Sequence, residues 1–385
     1  MEKVDDRLFV WGSNIDNSTV LQAQRTSRLP IIHDHVSLMP DAHIGAGATI
    51  GSVIPTENAI IPSAVGVDIG CGMIAARTNR YSKDLPDSLE PLLLEIEQTI
   101  PAGVGNAHLS GDSTSLALLS NKPGTQLDNK TKELAACQLG TLGSGNHFVE
   151  VSLDEDDRVW IVLHSGSRKI GNLLAQQHID VAKNLARELH LGLEDPELAW
   201  FTQGTPEFEA YITDMLWAQD YAMLNRELMM KSVTKTLFKH LPPKSQIMET
   251  INCHHNFAKQ EAHQGRELWI TRKGAIRAMT GDRGVIPGSM GTKSYIVTGL
   301  GNEDSWMSSS HGAGRRMSRG DARRTFSDED LRKAMIGKTW LDEKAERLVD
   351  ESPASYKDID AVMADQADLV RIAHTLTQVL NYKGA

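Results

Sequence analysis

The stretch Val67-Asp68-Ile69-Gly70-Cys71-Gly72-Met73 sets a carboxylate and a thiol three residues apart on backbone loosened by glycine. Lacking a Cβ, Gly70 and Gly72 can take positive φ, so the chain can curl until Asp68 and Cys71 face one point in space. A thiolate binds metal and can bridge two ions, and a carboxylate suits harder cations such as manganese or magnesium. The same letters also describe a glycine-bearing bend around a buried cysteine, since free cysteines are often buried. Residues 36–74 as a whole read as short apolar strands broken by Gly and Pro, among them 48–54 and Ile60-Ile61 before Pro62.

Downstream, residues 147–153 alternate and 158–164 are continuously apolar, with Asp154-Glu155-Asp156-Asp157 between them, which predicts a β-hairpin. Pairing Leu153 with Arg158 places His147 opposite His164, where facing Cβ atoms lie about 4.5–5.5 Å apart and can share a metal. A slip of one residue would send the two to opposite faces. Segments 172–190 and 208–241 carry apolar residues at three- and four-residue spacing, as at Tyr211, Met215, Ala218 and Ala222, and predict core-facing helices. The same spacing at Leu369, Ile372, Leu376 and Leu380 predicts a last helix over 365–380, with His374 beside its stripe. The glycine-bearing 101–130 predicts a mobile segment or lid. No repeat, low-complexity tract or charge block divides the sequence, and its unusual motifs run from Asp41 almost to the C-terminus. That distribution favours one interwoven catalytic domain over 1–385, although length alone would allow about two or three.

Forty basic against fifty acidic residues give a net charge of −10, so any nucleic-acid site must be a local basic patch on an acidic body. The cysteines, Cys71, Cys137 and Cys253, are odd in number and widely spaced, against a disulfide framework and for a reducing compartment. Neither a secretory leader nor an apolar run of membrane-spanning length is legible. These features predict a soluble, cytoplasmic protein with no membrane contact.

Of the fourteen histidines, His178, His190 and His240 fall in helical segments and are expected to pack or face solvent. The informative ones sit in turns rich in Gly and Ser: His147, His164, the doublet His254-His255, and His311. Strand-end turns are where a rigid scaffold holds reactive side chains within reach of solvent. Consecutive extended residues point to opposite faces, so at most one of His254 and His255 joins a given metal set while the other touches substrate or supports the first. Asp41 and His43, in Pro40-Asp-Ala-His-Ile-Gly45, either orient ligands or belong to a turn capped by the aspartate. The segment Pro287-Gly-Ser-Met-Gly-Thr-Lys-Ser294 has the small residues of a phosphate cradle, with Lys293 to complete it, but not the P-loop spacing. His311 is followed by Arg315, Arg316, Arg319, Arg323 and Arg324 with only Asp321 opposing them. A histidine so placed can attack phosphorus while guanidiniums bind phosphate; the bland alternative is a solvated basic helix start.

Taken in order, Pro40-Asp-Ala-His43, Gly66-Val-Asp-Ile-Gly-Cys-Gly-Met73, Leu139-Gly-Thr-Leu-Gly-Ser-Gly-Asn-His-Phe148, Leu163-His-Ser-Gly-Ser-Arg168, Asn252-Cys-His-His-Asn256, Pro287-Gly-Ser-Met-Gly291, Ser310-His-Gly-Ala-Gly-Arg315 and Tyr382-Lys-Gly384 resemble the RtcB family of RNA ligases. The likeness runs from about residue 36 to the C-terminus. It implies an α+β fold of mixed and antiparallel β-sheets around a central metal cleft with flanking helices; a monomer is expected, though nothing in the sequence determines the oligomeric state. It further implies GTP- and Mn²⁺-dependent joining of RNA 2′,3′-cyclic phosphate or 3′-phosphate ends to 5′-hydroxyl ends, through a histidine–GMP adduct and an RNA(3′)pp(5′)G intermediate, in tRNA splicing or RNA repair. By the resemblance, His311 is the nucleophile, and Asp68, Cys71, His147, His164 and His255 hold two manganese ions with Cys71 as the bridge. Asn146, Phe148, Glu150, Ser289, Ser294, Ala313, Gly314, Tyr356 and Lys383 match the guanylate positions, with Glu150 and Lys383 toward the base. Arg168, His254 and Arg315 are expected to meet the RNA or its phosphates. Ala46 stands where many bacterial relatives carry lysine, and Met307-Ser-Ser-Ser310 precedes the nucleophile where relatives often have cysteine. Two rivals remain. A metal-dependent phosphodiesterase or nucleotidyl hydrolase would use water on the same cluster and have no use for the Glu150–Lys383 pair. A non-catalytic RNA-binding protein would not need the metal and nucleophile positions, and such clusters usually mark active sites.

Overall fold

The hairpin read at 147–164 lies at the centre of the larger of the two main sheets in the computed structural model, which describes residues 1–119 and 127–384. That sheet runs, in spatial order, Ile247–His254, Gly72–Tyr81, Arg158–Ser165, Phe148–Leu153, Val370–Lys383, Lys293–Gly299 and Arg283–Pro287, with Thr339–Trp340 parallel to the 370–383 strand. It curls until its edges approach, where Arg283 and Glu249 pair at 3.0 Å. The smaller sheet runs Glu2–Asp5, Leu8–Val10, Val36–His43, Ile50–Thr56, Arg266–Lys273 and Asn256–His263. A single residue, His255, separates the last strand of that list from the 247–254 strand of the other sheet. The chain therefore crosses between sheets at a candidate ligand.

Two of the predicted helices are present as Arg168–Glu188 and Pro206–Lys239. The longer one starts with Pro206, whose missing N–H costs nothing in a first turn, and Thr205 caps it by accepting from Phe208 N. Tyr211, Met215 and Ala218 bury completely against Ile170 and Leu174 of its neighbour.

The predicted last helix is instead the strand Val370–Lys383, inserted between Phe148–Leu153 and Lys293–Gly299. Its leucines are four apart, a spacing that fits one face of a helix but is also a multiple of the strand period of two. Val370, Ile372, Thr375, Thr377 and Val379 favour the extended form, and two flanking strands satisfy its backbone. The hairpin register is also one residue off the expected one: Leu153 pairs with Val159 and Phe148 with His164. The slip does not separate the histidines, because His147 precedes the strand and is turned by the loop rather than by the pleat. Pro40-Asp-Ala-His43 lies within a strand, not a turn. Of the segment expected to form a lid, 120–126 lies outside the described residues. Near its start Gly103 N donates to Gly143 O at 2.7 Å, and a short helix follows at Ser113–Leu116. Among the described residues no helix is long and apolar enough to cross a membrane.

Candidate active site

The 67–73 turn curls as its glycines allow. Gly70 has φ +72°, and a Cβ there would lie 2.8 Å from Gln219 Cα of the long helix, so glycine is required on both counts. Gly70 N donates to Asn256 O (2.6 Å) and His255 N to Cys71 O (2.8 Å), which ties the turn to the crossover between the sheets.

Around it the donor atoms converge. Cys71 Sγ lies 3.4 Å from His147 Nε2 and 3.3 Å from His164 Nε2, His164 Nε2 lies 2.8 Å from His255 Nε2, and Asp68 Oδ2 lies 3.2 Å from His147 Nε2. Two triads, Cys71–His164–His255 and Asp68–Cys71–His147, share the sulfur. The Nδ1 atoms of His147 and His164 sit on the carbonyls of Leu142 (2.9 Å) and Asn146 (3.1 Å), which fixes the tautomer and turns the Nε2 lone pairs inward. Burial holds His164 and His255 well below the usual histidine range, so both are neutral. Burial also raises the Cys71 thiol. Burial would raise the Asp68 carboxyl too, but the hydrogen bond and charge of His147 hold it down at about 2. Three imidazole nitrogens, one carboxylate and one sulfur facing a common centre suit a bound cation, which would take the place of the proton between His147 and Asp68, so the residues present fit a metal site.

Behind the cluster stands Arg226, fully buried. It donates to Gly70 O (2.8 Å), Ser165 O (3.1 Å) and Asn252 Oδ1 (2.8 Å), linking the segments that carry Asp68, Cys71, His164 and His255. His254 supports the same turn, with Nδ1 2.8 Å from Gly70 O and 3.2 Å from Arg226.

His311 follows the short strand Ser308–Ser310, and its ring centroid is 4.7 Å from that of His255. Ser310 is clamped from both sides by Gln366. His311 Nδ1 lies 2.6 Å from Oδ2 of the fully buried Asp41, which also accepts from His311 N (3.1 Å) and Gly312 N (3.2 Å). Asp41 thus buttresses the candidate nucleophile and not a metal ligand. His43 turns Nδ1 to Asp41 O at 3.0 Å, and burial lowers it to about 4.

The other half of the site is charged. Glu150 and Asn381 are partners on neighbouring strands, as are Phe148 and Lys383, so Glu150 and Lys383 come to one face two residues apart. Burial pushes the Glu150 carboxyl up to about 8, with Lys383 pulling the other way; Oε1 accepts from Asn381 at 2.9 Å and Oε2 has no partner. Lys383 Nζ pairs with Glu351 at 2.9 Å. The arginine run is opposed by more than Asp321. Arg319 pairs with Asp350 (2.6 Å) and Glu351, Arg323 with Asp350 (2.6 Å), and Arg315 stands 3.6 Å from Glu351. The 287–294 segment is not an open cradle either: the N–H groups of Gly288, Ser289, Gly291 and Thr292 are all bonded within the protein, and Lys293 pairs with Asp360.

These halves border one cavity of about 740 Å³. Asp68, Cys71, His164, His255 and His311 line it, as do Asn146, Phe148, Glu150, Ser289, Ala313, Gly314, Arg315, Tyr356 and Lys383. Four sequence candidates do not reach its wall: His147, which joins the cluster from behind; Ser294, buried in its strand; Arg168, bonded to Thr141; and His254. The helical histidines are packing groups as expected, with His178 on Asp214 and His240 on Glu95. Three residues escaped the sequence reading. Arg226 was legible in principle, because the stripe through Ala218 and Ala222 continues onto Asn225 and Arg226, placing polar groups on a core face. Lys273, a charge in an otherwise strand-like run, also lines the cavity. Glu351 carried no local signal.

A two-sheet enzyme with a buried His–Cys–Asp cation site beside a carboxylate-backed histidine is the class that fold and site define. The comparisons narrow it. The chain belongs to the RtcB family: the family model for tRNA-splicing ligase RtcB matches residues 22–384, and the fold is the α+β arrangement expected of it. The chain is 44% identical over 406 residues to the RNA-splicing ligase RtcB of Escherichia coli (strain K12), covering 100% of this chain and 98% of that one. It is 32% identical to the tRNA-splicing ligase RtcB of Nanoarchaeum equitans, covering 94% and 88%.

Proposed function

We propose that this RNA ligase joins RNA ends bearing a 2′,3′-cyclic phosphate or 3′-phosphate to ends bearing a 5′-hydroxyl, using GTP and two Mn²⁺ ions, in tRNA splicing or RNA repair. The observation that carries the reading is the buried Asp41 carboxylate 2.6 Å from His311 Nδ1. The contact is an ion-pair approach without hydrogen-bond geometry, and the negative charge beside Nδ1 favours the tautomer with its proton there, which leaves the Nε2 lone pair as the nucleophile. Attack on the α-phosphorus of GTP forms an N–P bond and expels pyrophosphate, while Asp41 stabilises the imidazolium charge. An oxygen of the RNA 3′-phosphate then takes GMP from His311 as the N–P bond breaks. Finally the 5′-hydroxyl attacks the 3′-phosphorus, GMP leaves, and the hydroxyl proton passes to solvent. A cyclic end is first opened by water. Asp68, Cys71, His147, His164 and His255 would hold the metal, which when bound supplies Lewis-acid stabilisation of charge on phosphate oxygens.

Glu150 and Lys383 suit the base, since the donor edge of guanine would replace the proton that burial holds on Glu150 and satisfy its partnerless oxygen. Asn146, Phe148, Ser289, Ala313, Gly314 and Tyr356 would frame the rest of the nucleotide, with Ser294 supporting from beneath. Arg315 would meet RNA phosphates, so affinity should fall with salt, while Arg168 and His254, bonded to Thr141 and to the ligand turn, would act from behind the wall. Because the site draws on segments from Asp41 to Lys383, residues 1–385 act as one catalytic unit, taken to be a monomer. The test is incubation with Mn²⁺, GTP and a labelled RNA pair ending in 2′,3′-cyclic phosphate and 5′-hydroxyl, beside ATP and His311→Ala controls. Joining that depends on GTP and His311 is expected. Cyclic-phosphate opening without joining, whatever the nucleotide, would favour the hydrolase.

A further inference from the structure

The metal, guanylate and RNA assignments leave the run Ser308-Ser309-Ser310 without a role, yet all three side chains are fully buried. These residues form one strand of a sheet of only two, with Ser310 opposite Ala275 and Ser308 opposite Arg277. Two strands alone are marginally stable. The entry to the strand is costlier still, because Trp306 (φ +54°) and Met307 (φ +51°) both take the left-handed conformation that side chains disfavour. Such backbone persists only where its surroundings over-determine it. A nucleophile carried on so slight a strand needs other anchors.

Side chains supply them at both ends. At the entry stands Arg272 of the smaller sheet, fully buried, whose Nη1 and Nη2 fork onto Glu261 at 2.8 and 3.0 Å. It also donates from Nη2 to Trp306 O (3.1 Å) and from Nε to Ser308 Oγ (2.8 Å). At the exit stands Gln366, buried in the turn between the helix Ile359–Ala364 and the strand Val370–Lys383. It accepts from Ser310 N (3.0 Å) and donates from Nε2 to Ser310 Oγ (2.6 Å). Side chains alternate along a strand, so Ser308 and Ser310 face one way and Ser309 the other, where its Oγ meets no partner among the described residues. Asp41 holds the His311 ring and the turn that follows, whereas Arg272 and Gln366 hold the strand that precedes it. Neither of the two lines the cavity. We infer that Arg272 and Gln366 are positioning residues for guanylation: by gripping Ser308 and Ser310 they aim His311 Nε2 along the in-line path on which the N–P bond forms as pyrophosphate leaves.

The inference rests on the proposed guanylation of His311, and its test keeps the two apart. Single-turnover formation of the labelled adduct from [α-³²P]GTP is followed in the Mn²⁺-loaded full chain for Ser308→Ala, Ser309→Ala and Ser310→Ala, substitutions of equal size at equally buried positions. Misplacement by about an ångström can cost about 100-fold, so Ser308→Ala and Ser310→Ala should slow the adduct about 10- to 100-fold at saturating GTP. The GTP concentration giving half the maximal rate should stay within about twofold, since an aiming contact acts on the transition state and not on binding. Ser309→Ala removes a hydroxyl with no partner and should keep the wild-type rate within about twofold. Gln366→Met should slow the step at least as much as Ser310→Ala, and the double variant no more than Gln366→Met alone, because both remove one contact. Should Gln366→Met fail to fold, the serine series decides alone. A merely structural hold would lower the denaturation midpoints of Ser308→Ala and Ser310→Ala and leave their rates, measured well below those midpoints, at the wild-type value. That result overturns the inference, as would a raised GTP requirement, which would make the strand part of the nucleotide site. Absence of an adduct in the wild type would instead sink the ligase reading itself.

Discussion

At the ligand cluster, side chains turn acceptor atoms toward one another at 2.8–3.4 Å. In the basic half of the same cleft, each cation already has a carboxylate: Lys383 has Glu351, and Arg319 has Asp350 and Glu351. The first arrangement crowds acceptors that have few protons to share among them, so it gains when a cation enters it. The second is balanced, so an anion can bind there only by exchange with the resident carboxylates, which exacts affinity and rewards a well-fitted ligand. Arg226 explains how the crowded half is tolerated: its buried guanidinium ties together the Gly70 and Ser165 backbones and the Asn252 side chain, on the three segments that carry the acceptors.

The contrast breaks most easily at the nucleophile between the halves. His311→Ala should abolish the labelled adduct from [α-³²P]GTP, and Asp41→Asn should lower its rate about 10²- to 10³-fold with the fold intact, by analogy with the loss of tautomer control in a Ser-His-Asp triad. An undiminished adduct in Asp41→Asn would show that the carboxylate is incidental. On the acceptor side, Cys71→Ala removes the one atom common to both triads and should weaken Mn²⁺ binding at least about 100-fold for both ions, followed by electron paramagnetic resonance titration; His147→Ala should touch one ion more than the other. Normal Mn²⁺ binding by Cys71→Ala would defeat the shared-sulfur picture.

On the balanced side, Glu351→Gln leaves Lys383 and Arg319 short of charge, so the ligand-free protein should lose about 3 kcal/mol by urea denaturation. The stabilisation gained on adding GTP should increase, because there is less to displace. The smallest effect sharpens the comparison through pH. The native Glu150 carboxyl stands at about 8 against an ordinary 4.5, so the native state keeps a proton that the unfolded state releases. Its contribution to stability is full below about pH 4.5 and is lost as pH rises through about 8. Glu150→Gln should therefore gain on wild type steadily between pH 5 and pH 8, read as denaturation midpoints; parallel pH profiles would contradict the burial argument.

How much was legible follows from whether a signal was local. The Asp68–Cys71 turn was, because glycine at 70 is a local requirement. The two long helices were, because their stripes span many turns. The 370–383 strand was not: a four-residue apolar repeat satisfies helix and strand alike, and only the neighbouring strands choose between them. That choice mattered, since it is the strand that lays Asn381 and Lys383 beside Glu150 and Phe148. The basic run after His311 looked nearly unopposed because its counter-charges, Asp350 and Glu351, lie some thirty residues away.

By itself, then, the sequence determined the kinds of chemistry: which side chains could bind metal, which histidine could attack phosphorus, and, through its ordered motifs, the family. Those properties reside in residue identity and short spacing. Only the tertiary structure decided the partnerships. It set Asp41 against His311 across 270 residues, gave Cys71 to both triads, and neutralised the arginines. Such pairings depend on which strand ends meet at the sheet crossover, and no local spacing encodes that.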